Sequence, residues 1–380
     1  MNVILSVDAI HPPLTGIGHY ALRLARGLKD HPEVGEVRFF ATSRWIDDPE
    51  GRLKAPPPEA LARRWVPFKP LAALAYGALR GALFRLQSRR LKDRVFHAPN
   101  YILMPFRGPC VTTVHDLSHL HYPHCHPRER VTFLERHLPT TLRRAAAIIT
   151  VSHFVRQELI EHFALPPERV HAVYNGVDGA FHPRCFEDLA EPLRRYGLAP
   201  DGYLLVVATV EPRKNLARLL DAYQGLAEDL RHRYPLVLAG AGGWLSRDLE
   251  ARLAALDAGG QVRRLGYVPQ ELLPFLYAGA RAFAFPSLYE GFGLPVAEAM
   301  ASGVPVLTSD RAATAEIAAD CAWLVDPESV AAIQTGLEGI LSDEAWRAQS
   351  ISRGRERVRD WTWERCLEAT VAVYRRALGS

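Results

Sequence analysis

The sequence predicts an α/β protein of two doubly wound domains with a cleft between them. Three observations predict this. The 380 residues suffice for two or three domains at roughly 150 residues each. Short apolar runs rich in β-branched residues alternate with helix-period patterns, the signature of parallel strands covered by helices on both faces. The alternation comes in two series, separated by a polar stretch near Gly179–Arg195. The expected boundaries are 1–182, 183–360 and a last helical segment, 361–380.

In the first series the strand candidates are Val3–Val7, Val37–Ala41, Val95–Ala98, Val111–Val114, Ala147–Val151 and Val170–Val173. In the second they are Tyr203–Ala208, Leu236–Ala239, Val262–Leu265, Ala282–Phe285, Val304–Thr308 and Ala322–Val325. Helical patterns between them include Tyr20–Leu28, Phe154–Phe163, Leu216–Leu226 and Val296–Ala301. A final helix pattern, Trp361–Leu378, carries Trp363, Leu367, Val371 and Tyr374 on one face. Ligands of such sheets sit at the carboxyl ends of the strands.

Composition narrows the class. Hydrophobic residues at 48% and charged residues at 23% exclude a wholly disordered chain. The most apolar stretch, Leu71–Phe84, is interrupted by Arg80 and is too short to span a bilayer. The opening MNVILSVDAI lacks a basic n-region and a cleavage site, so it reads as a first strand and not as a secretory signal. Five scattered cysteines without a CxxC pair favour a reducing, cytoplasmic setting. The net charge of +4 gives no support to nucleic-acid binding.

Charge is unevenly placed. Residues 52–94 carry eleven basic and two acidic side chains. Trp65, Phe68, Leu71, Leu79, Leu83 and Phe84 interleave there with Arg63, Arg64, Lys69, Arg80, Arg85 and Arg89. This fits either an amphipathic element on an anionic membrane or lipid-linked acceptor, or a helix pair with one buried and one arginine-rich face. Only five of the 46 basic residues are lysine, and Lys214 is the single lysine beyond residue 92.

Five motifs are candidates for chemistry. In 285–305, FPSLYEGFGLPVAEAMASGVP, a strand ends at Phe285 and a helix begins near Pro295. Gly291 and Gly293 allow backbone N–H groups to approach an anion at that helix N-terminus. Glu290 and Glu298 flank the loop; carboxylates there suit sugar or ribose hydroxyls better than phosphate. A Gly-rich turn with a capping Glu is the plain alternative. In 209–215, TVEPRKN, Arg213 and Lys214 place two cations at a strand's carboxyl end, suited to a diphosphate leaving group. Asn215 reads as an N-cap. Near the N-terminus, Thr15-Gly16-Ile17-Gly18 is either a tight turn or a loop that lets donor or acceptor approach the backbone.

In 112–127, TTVHDLSHLHYPHCHP, His115 and Asp116 end a strand. His115 is a candidate to donate a hydrogen bond to substrate or to stabilise developing charge. His119, His121, His124, Cys125 and His126 invite a zinc reading. Their spacing matches no standard ligand pattern, so no metal site is expected and most read as surface or packing residues. The basic window is the fifth feature.

In order, the Gly-rich N-terminal loop, VHDL, VSHF, YNGVD, EPRKN, LAGAGGW, LGYV and EGFGLPVAEAMASGVPV resemble the retaining nucleotide-sugar glycosyltransferases of the GT-B fold, family 4. The resemblance runs from Gly16 to the last helix and is more specific in the second half. It implies two Rossmann-like domains, the first for acceptor and the second for nucleotide sugar, with the last helix crossing back to the first. It implies Arg213 and Lys214 at the diphosphate, Glu290 at the transferred sugar, and Gly291, Phe292, Gly293 and Leu294 along the donor. Glu298 would hold the ribose, the Gly266-Tyr267-Val268 loop the base, and His115 would lie near the sugar. Gly16 would be on the acceptor-side loop and within reach of donor. No cofactor or metal is implied, because the cations and the helix N-terminus neutralise the leaving group.

The VHDLSHLHYP stretch resembles bacterial mannosyltransferases of surface polysaccharide synthesis. The expected donor is therefore GDP-mannose, ahead of UDP- or dTDP-sugars, and the acceptor a glycan or lipid-linked glycan. A non-hydrolysing sugar-nucleotide epimerase shares the architecture but lacks the EPRKN/EGFG pairing. An NAD-linked dehydrogenase would need a full GxGxxG. A non-catalytic subunit would not require Arg213, Lys214, Glu290 and Glu298 together.

Overall fold

The computed structural model describes residues 1–54, 79–240 and 247–379. They form two compact units. The first comprises Met1–Leu117, Arg128–Asn175 and the last helix; the second comprises Ser118–Pro127 and Gly176–Thr362. The chain thus divides at 175/176 and 362/363, where the sequence reading drew its lines at 182/183 and 360/361.

The first unit is built on strands β1 (Asn2–Ser6), β2 (Glu36–Ala41), β3 (Arg44–Ile46), β4 (Val95–Ala98), β5 (Cys110–Val114), β6 (Ala147–Thr150) and β7 (Val170–Ala172), ordered β3-β2-β1-β4-β5-β6-β7. All pairs are parallel except β2–β3. Strand β3 was not foreseen: its three residues follow β2 through a turn with Thr42 at φ 62°, too short to show a period. Strands β4, β5 and β6 are buried at every residue, as expected for parallel strands covered on both faces.

The second unit is built on β8 (Leu204–Val207), β9 (Leu236–Ala239), β10 (Val262–Gly266), β11 (Ala282–Phe285), β12 (Val306–Ser309) and β13 (Trp323–Val325), ordered β10-β9-β8-β11-β12-β13. Every pair is parallel. Each unit has its own apolar core. One is centred on Val3, Leu5, Val111 and Ile149, the other on Leu204, Leu236, Ala284 and Leu307.

The last helix, Trp363–Leu378, belongs to the first unit and packs on β4, β5, β6 and the helix Gly16–Asp30. Val371 and Tyr374 are buried in the first core, and Leu367 fits against Gly27, where a Cβ would come within 2.6 Å of it. Trp361, placed at the start of this helix by the sequence reading, stands before it in the second unit. Among the described residues no helix is long and apolar enough to cross a membrane.

Of the basic window, residues 55–78 lie outside the described residues. In the described part a helix covers 79–87. Phe84 is buried among Phe40, Phe96 and Phe106, while Leu79 and Leu86 are exposed.

Candidate active site

In the second sheet β8 and β11 are neighbours, but their chains leave in opposite directions, to β9 and β12. Such a switch point, at the carboxyl ends of two neighbouring strands, is where a doubly wound sheet has its ligand crevice. Both second-half motifs are on the loops after these strands, so residues about seventy-five positions apart meet there.

After β8 the chain makes one tight turn, Pro212–Lys214, and then Asn215 adopts φ 60°, a conformation asparagine tolerates better than most residues. The helix Leu216–Gln224 begins next. The expected N-cap bond from Asn215 is absent. Its amide instead donates to the carbonyls of Pro286, at 3.0 Å, and Pro327, at 2.6 Å. Its Oδ1 accepts from Arg218 Nη1 of that helix at 3.1 Å, so the side chain ties the loop after β8 both to the helix that follows and to the loop after β11.

The centre of the crevice is an ionic cluster. Lys214 Nζ lies 2.6 Å from Glu290 Oε1, and Arg213 Nη1 lies 3.0 Å from Oε2. The side chains are 10–15% exposed. Ser287 Oγ donates to Glu290 Oε1 at 2.6 Å, and the Arg213 guanidinium also donates to the Tyr289 carbonyl. Burial raises the Glu290 carboxyl, but Arg213 and Lys214 outweigh it and hold the group below the ordinary carboxylate range. Burial likewise pulls the Lys214 ammonium below its usual value, against the opposing pull of Glu290. Glu211 Oε2 also lies 3.6 Å from Arg213 Nη2, so two cations and two carboxylates meet in a partly desolvated place, with Glu290 held between both cations. Ser287 was not foreseen from the sequence. Its Oγ also lies 3.0 Å from the Arg213 carbonyl, an alternative acceptor for the one hydroxyl proton, and nothing in a lone serine signals such a neighbour 74 residues away.

Gly291, Phe292 and Gly293 are buried between Glu290 and the helix Leu294–Ala301. Gly293, at φ 91°, turns the chain into that helix, which favours glycine at this position. Phe292 packs on Trp361 with ring centroids 5.9 Å apart. Leu294 opens the helix and is partly exposed. Glu298 stands further along, beside Tyr277, and burial pushes its carboxyl up to about 8.

The third donor-side loop follows β10. Gly266 has φ 65°, and its carbonyl accepts from Gly240 N at 2.8 Å. Tyr267 is 62% exposed, but Val268 is buried. That leaves the Val268 backbone to face a ligand in this loop. Residues 241–246 of LAGAGGW lie outside the described residues.

The histidine-rich segment Ser118–Pro127 packs within the second unit. Tyr122 donates to the Leu288 carbonyl at 3.3 Å, and the rings of His121 and Tyr122 lie 5.3 and 5.9 Å from that of Tyr289. His126 Nε2 meets Ser118 Oγ at 2.8 Å. Among the described residues no cluster of His, Cys, Asp or Glu is placed to hold a metal ion.

In the first unit His115 follows β5 and is buried. Its Nε2–H donates to the Pro99 carbonyl at 2.8 Å, and the Tyr20 ring stands edge-on to it at 5.1 Å. Burial lowers its pKa although the Pro99 bond and Asp116 oppose this. The neutral ring then offers Nδ1 as an acceptor. The sequence reading offered His115 as a donor to substrate or a stabiliser of developing charge; its Nε2–H is engaged by Pro99. Gly16 was expected in a loop before the helix. It is instead the first residue of the helix Gly16–Asp30, which Thr15 caps by accepting from Gly18 N at 3.3 Å. A Cβ on Gly16 would meet nothing within 4 Å, so the backbone there is open to an approaching group.

Comparisons with known proteins agree with this architecture. A family model described as Glycosyl transferases group 1 matches residues 195–357, and one described as Glycosyltransferase Family 4 matches residues 14–181. O-antigen chain mannosyltransferase B of Escherichia coli is 38% identical over 379 residues, 99% of this chain and 100% of that protein. Among solved structures, sucrose-phosphate synthase from Thermosynechococcus elongatus superposes with a TM-score of 0.77 at 20% identity, over 100% of this chain and 99% of its own. WaaG, a glycosyltransferase involved in lipopolysaccharide biosynthesis, superposes at 0.74 with 18% identity, over 98% and 99%. The two structures share the GT-B fold with this chain.

Proposed function

The chain belongs to the group 1 and family 4 glycosyltransferases, and from this premise we propose that it transfers mannose from GDP-mannose, with retention of configuration, to a glycan or lipid-linked acceptor in polysaccharide synthesis. The observation that carries the reading is the Arg213–Glu290–Lys214 cluster at the crevice between β8 and β11. The similarity to an Escherichia coli O-antigen chain mannosyltransferase supports mannose as the sugar.

In this account the donor diphosphate binds beside Arg213 and Lys214. Negative charge grows on it as the glycosidic bond breaks, and the two fixed cations stabilise that charge more in the transition state than before it. The N-terminus of Leu294–Ala301, with Gly291, Phe292 and Gly293 before it, adds oriented N–H groups. These groups supply the neutralisation that a divalent cation would otherwise give, so the proposed chemistry needs no metal. Glu298 receives the ribose hydroxyls, and the Gly266–Val268 backbone with Tyr267 borders the base. Nδ1 of His115 accepts from a hydroxyl of the transferred sugar, and the acceptor approaches past Gly16.

Glu290 is a sugar ligand in this account and not a nucleophile. Oε1 already accepts from Lys214 and Ser287, and Oε2 faces Arg213. A carboxylate so engaged, with its pKa held low, is a weak nucleophile. The acceptor hydroxyl therefore attacks on the face the diphosphate leaves, and the departing phosphate takes its proton.

The proposed working place is the inner face of the membrane, reached through residues 52–94. The described part supports this with exposed Leu79 and Leu86 beside exposed Arg85, Arg89 and Arg90.

The experiment is a donor panel read by mass spectrometry with a lipid-linked glycan acceptor. The expected result is a hexose increment from GDP-mannose only. An increment from a UDP- or dTDP-sugar instead would overturn the donor assignment.

A further inference from the structure

We propose that the last helix is a positioning element for His115, acting through a buried chain of polar groups that ends on Tyr20. The inference rests on the reading of His115 as a sugar-contacting residue.

Four side chains from four elements form the chain. Tyr374 of the last helix meets His97 Nδ1 of β4 at 2.6 Å. His97 Nε2 meets Thr113 Oγ1 of β5 at 2.8 Å. Thr113 Oγ1 meets Tyr20 OH, from the helix Gly16–Asp30, at 3.1 Å. All four residues are essentially inaccessible. The Tyr20 ring then stands edge-on to His115, with ring planes 88° apart. A second side chain of the last helix, Trp363, lies 6.3 Å from Tyr20.

A parallel sheet needs only apolar side chains to hold a helix. A run of four buried polar groups is costly unless every member is satisfied, and when satisfied it specifies one arrangement more sharply than apolar packing does. Burial drives the pKa of His97 to about 3, so its ring is neutral and one nitrogen donates while the other accepts. The hydroxyl orientations along the chain are therefore linked. This order ends on the ring that walls one side of His115, while the Pro99 carbonyl holds Nε2. What remains for substrate is Nδ1, in one direction. Thr113 stands on β5 and His115 directly follows the strand's last residue, Val114, so a shift in one is felt by the other.

The test is Tyr374→Phe, which removes one hydroxyl and keeps the ring. The expected result is a roughly tenfold lower kcat with donor KM changed less than twofold. Tyr20→Phe is expected to act alike and guards against a folding failure in the first variant. The deciding measurement is the cycle with His115→Ala. If Tyr374 acts through His115, Tyr374→Phe has no further effect on kcat once His115 is absent. An equal loss in both backgrounds, or a folded Tyr374→Phe enzyme with parental kcat, overturns the inference. A parental kcat in His115→Ala alone would instead remove His115 from the site, and the inference with it.

Discussion

Replacing Lys214 by alanine removes one of the two cations in the crevice and leaves Glu290 still paired. Arg213 remains at 3.0 Å and Ser287 at 2.6 Å from the carboxylate, so the loop after β11 keeps its anchors and the variant is expected to fold. What changes is the charge available to the leaving diphosphate. Two unit charges about 4 Å apart interact by roughly 4 kcal/mol at an effective dielectric of about 20. Only the charge that develops on the way to the transition state counts towards kcat. Arg213 and entering water take up part of the loss. About 2 kcal/mol then remains, or roughly a thirtyfold fall in kcat. The assay is steady-state mannosyl transfer at saturating donor, with a melting curve to establish that the variant is folded. Lys214→Arg is the companion variant. It keeps the charge, but a planar fork replaces a point charge beside Glu290, and partial recovery is expected. A folded Lys214→Ala enzyme with kcat within twofold of the parent would refute the reasoning. So would a rise in donor KM alone, which would mean that Lys214 holds donor and transition state equally.

Three further outcomes are expected. Asn215→Ala leaves the carbonyls of Pro286 and Pro327 without their amide donor and puts alanine at φ 60°. It should destabilise the protein by about 2–4 kcal/mol, and a melting temperature within one degree of the parent would contradict this. Burial raises the Glu298 carboxyl to about 8, so the folded state binds this proton more tightly than the unfolded state. The group's contribution to stability is then complete below the unfolded pKa and is lost as pH rises towards 8. Glutamine does not titrate, so the melting temperature of Glu298→Gln should gain on the parent between pH 5 and pH 8, and a constant difference would show that the carboxyl is not raised. Sedimentation with anionic vesicles should be appreciable at low salt and fall as salt is added, whereas no binding at low salt would make exposed Arg85, Arg89 and Arg90 an ordinary solvated surface.

The fold was legible because parallel strands buried on both faces are written as apolar runs. Val111–Val114 and Ala282–Phe285 needed no partner information to be recognised. Strand order was not legible. Nothing in the runs after β8 and β11 says that these two strands are neighbours, yet that adjacency brings Arg213 and Lys214 to Glu290. The motifs named the residues and the resemblance supplied their pairing. Short-range chemistry misled where a side chain had a better partner far away in sequence. Asn215 has the composition of an N-cap but bonds to carbonyls 71 and 112 residues away. His115 has a donor nitrogen, but Pro99 takes it. Val268 follows exposed Gly266 and Tyr267, but its own apolar side chain is buried. The burial of Tyr374 was legible from its helix face, but the roles of the Ser287, Tyr20 and Tyr374 hydroxyls were not, because a hydroxyl reveals its role only when its partner is in view.

The most direct measurement of the central claim is the anomeric configuration of the product. GDP-mannose carries its sugar in the α linkage. The purified protein, incubated with GDP-mannose and acceptor, is expected to release GDP and give an α-mannoside, read from the one-bond C1–H1 coupling by NMR. A β-mannoside, or no transfer from GDP-mannose by the folded protein, would contradict the account.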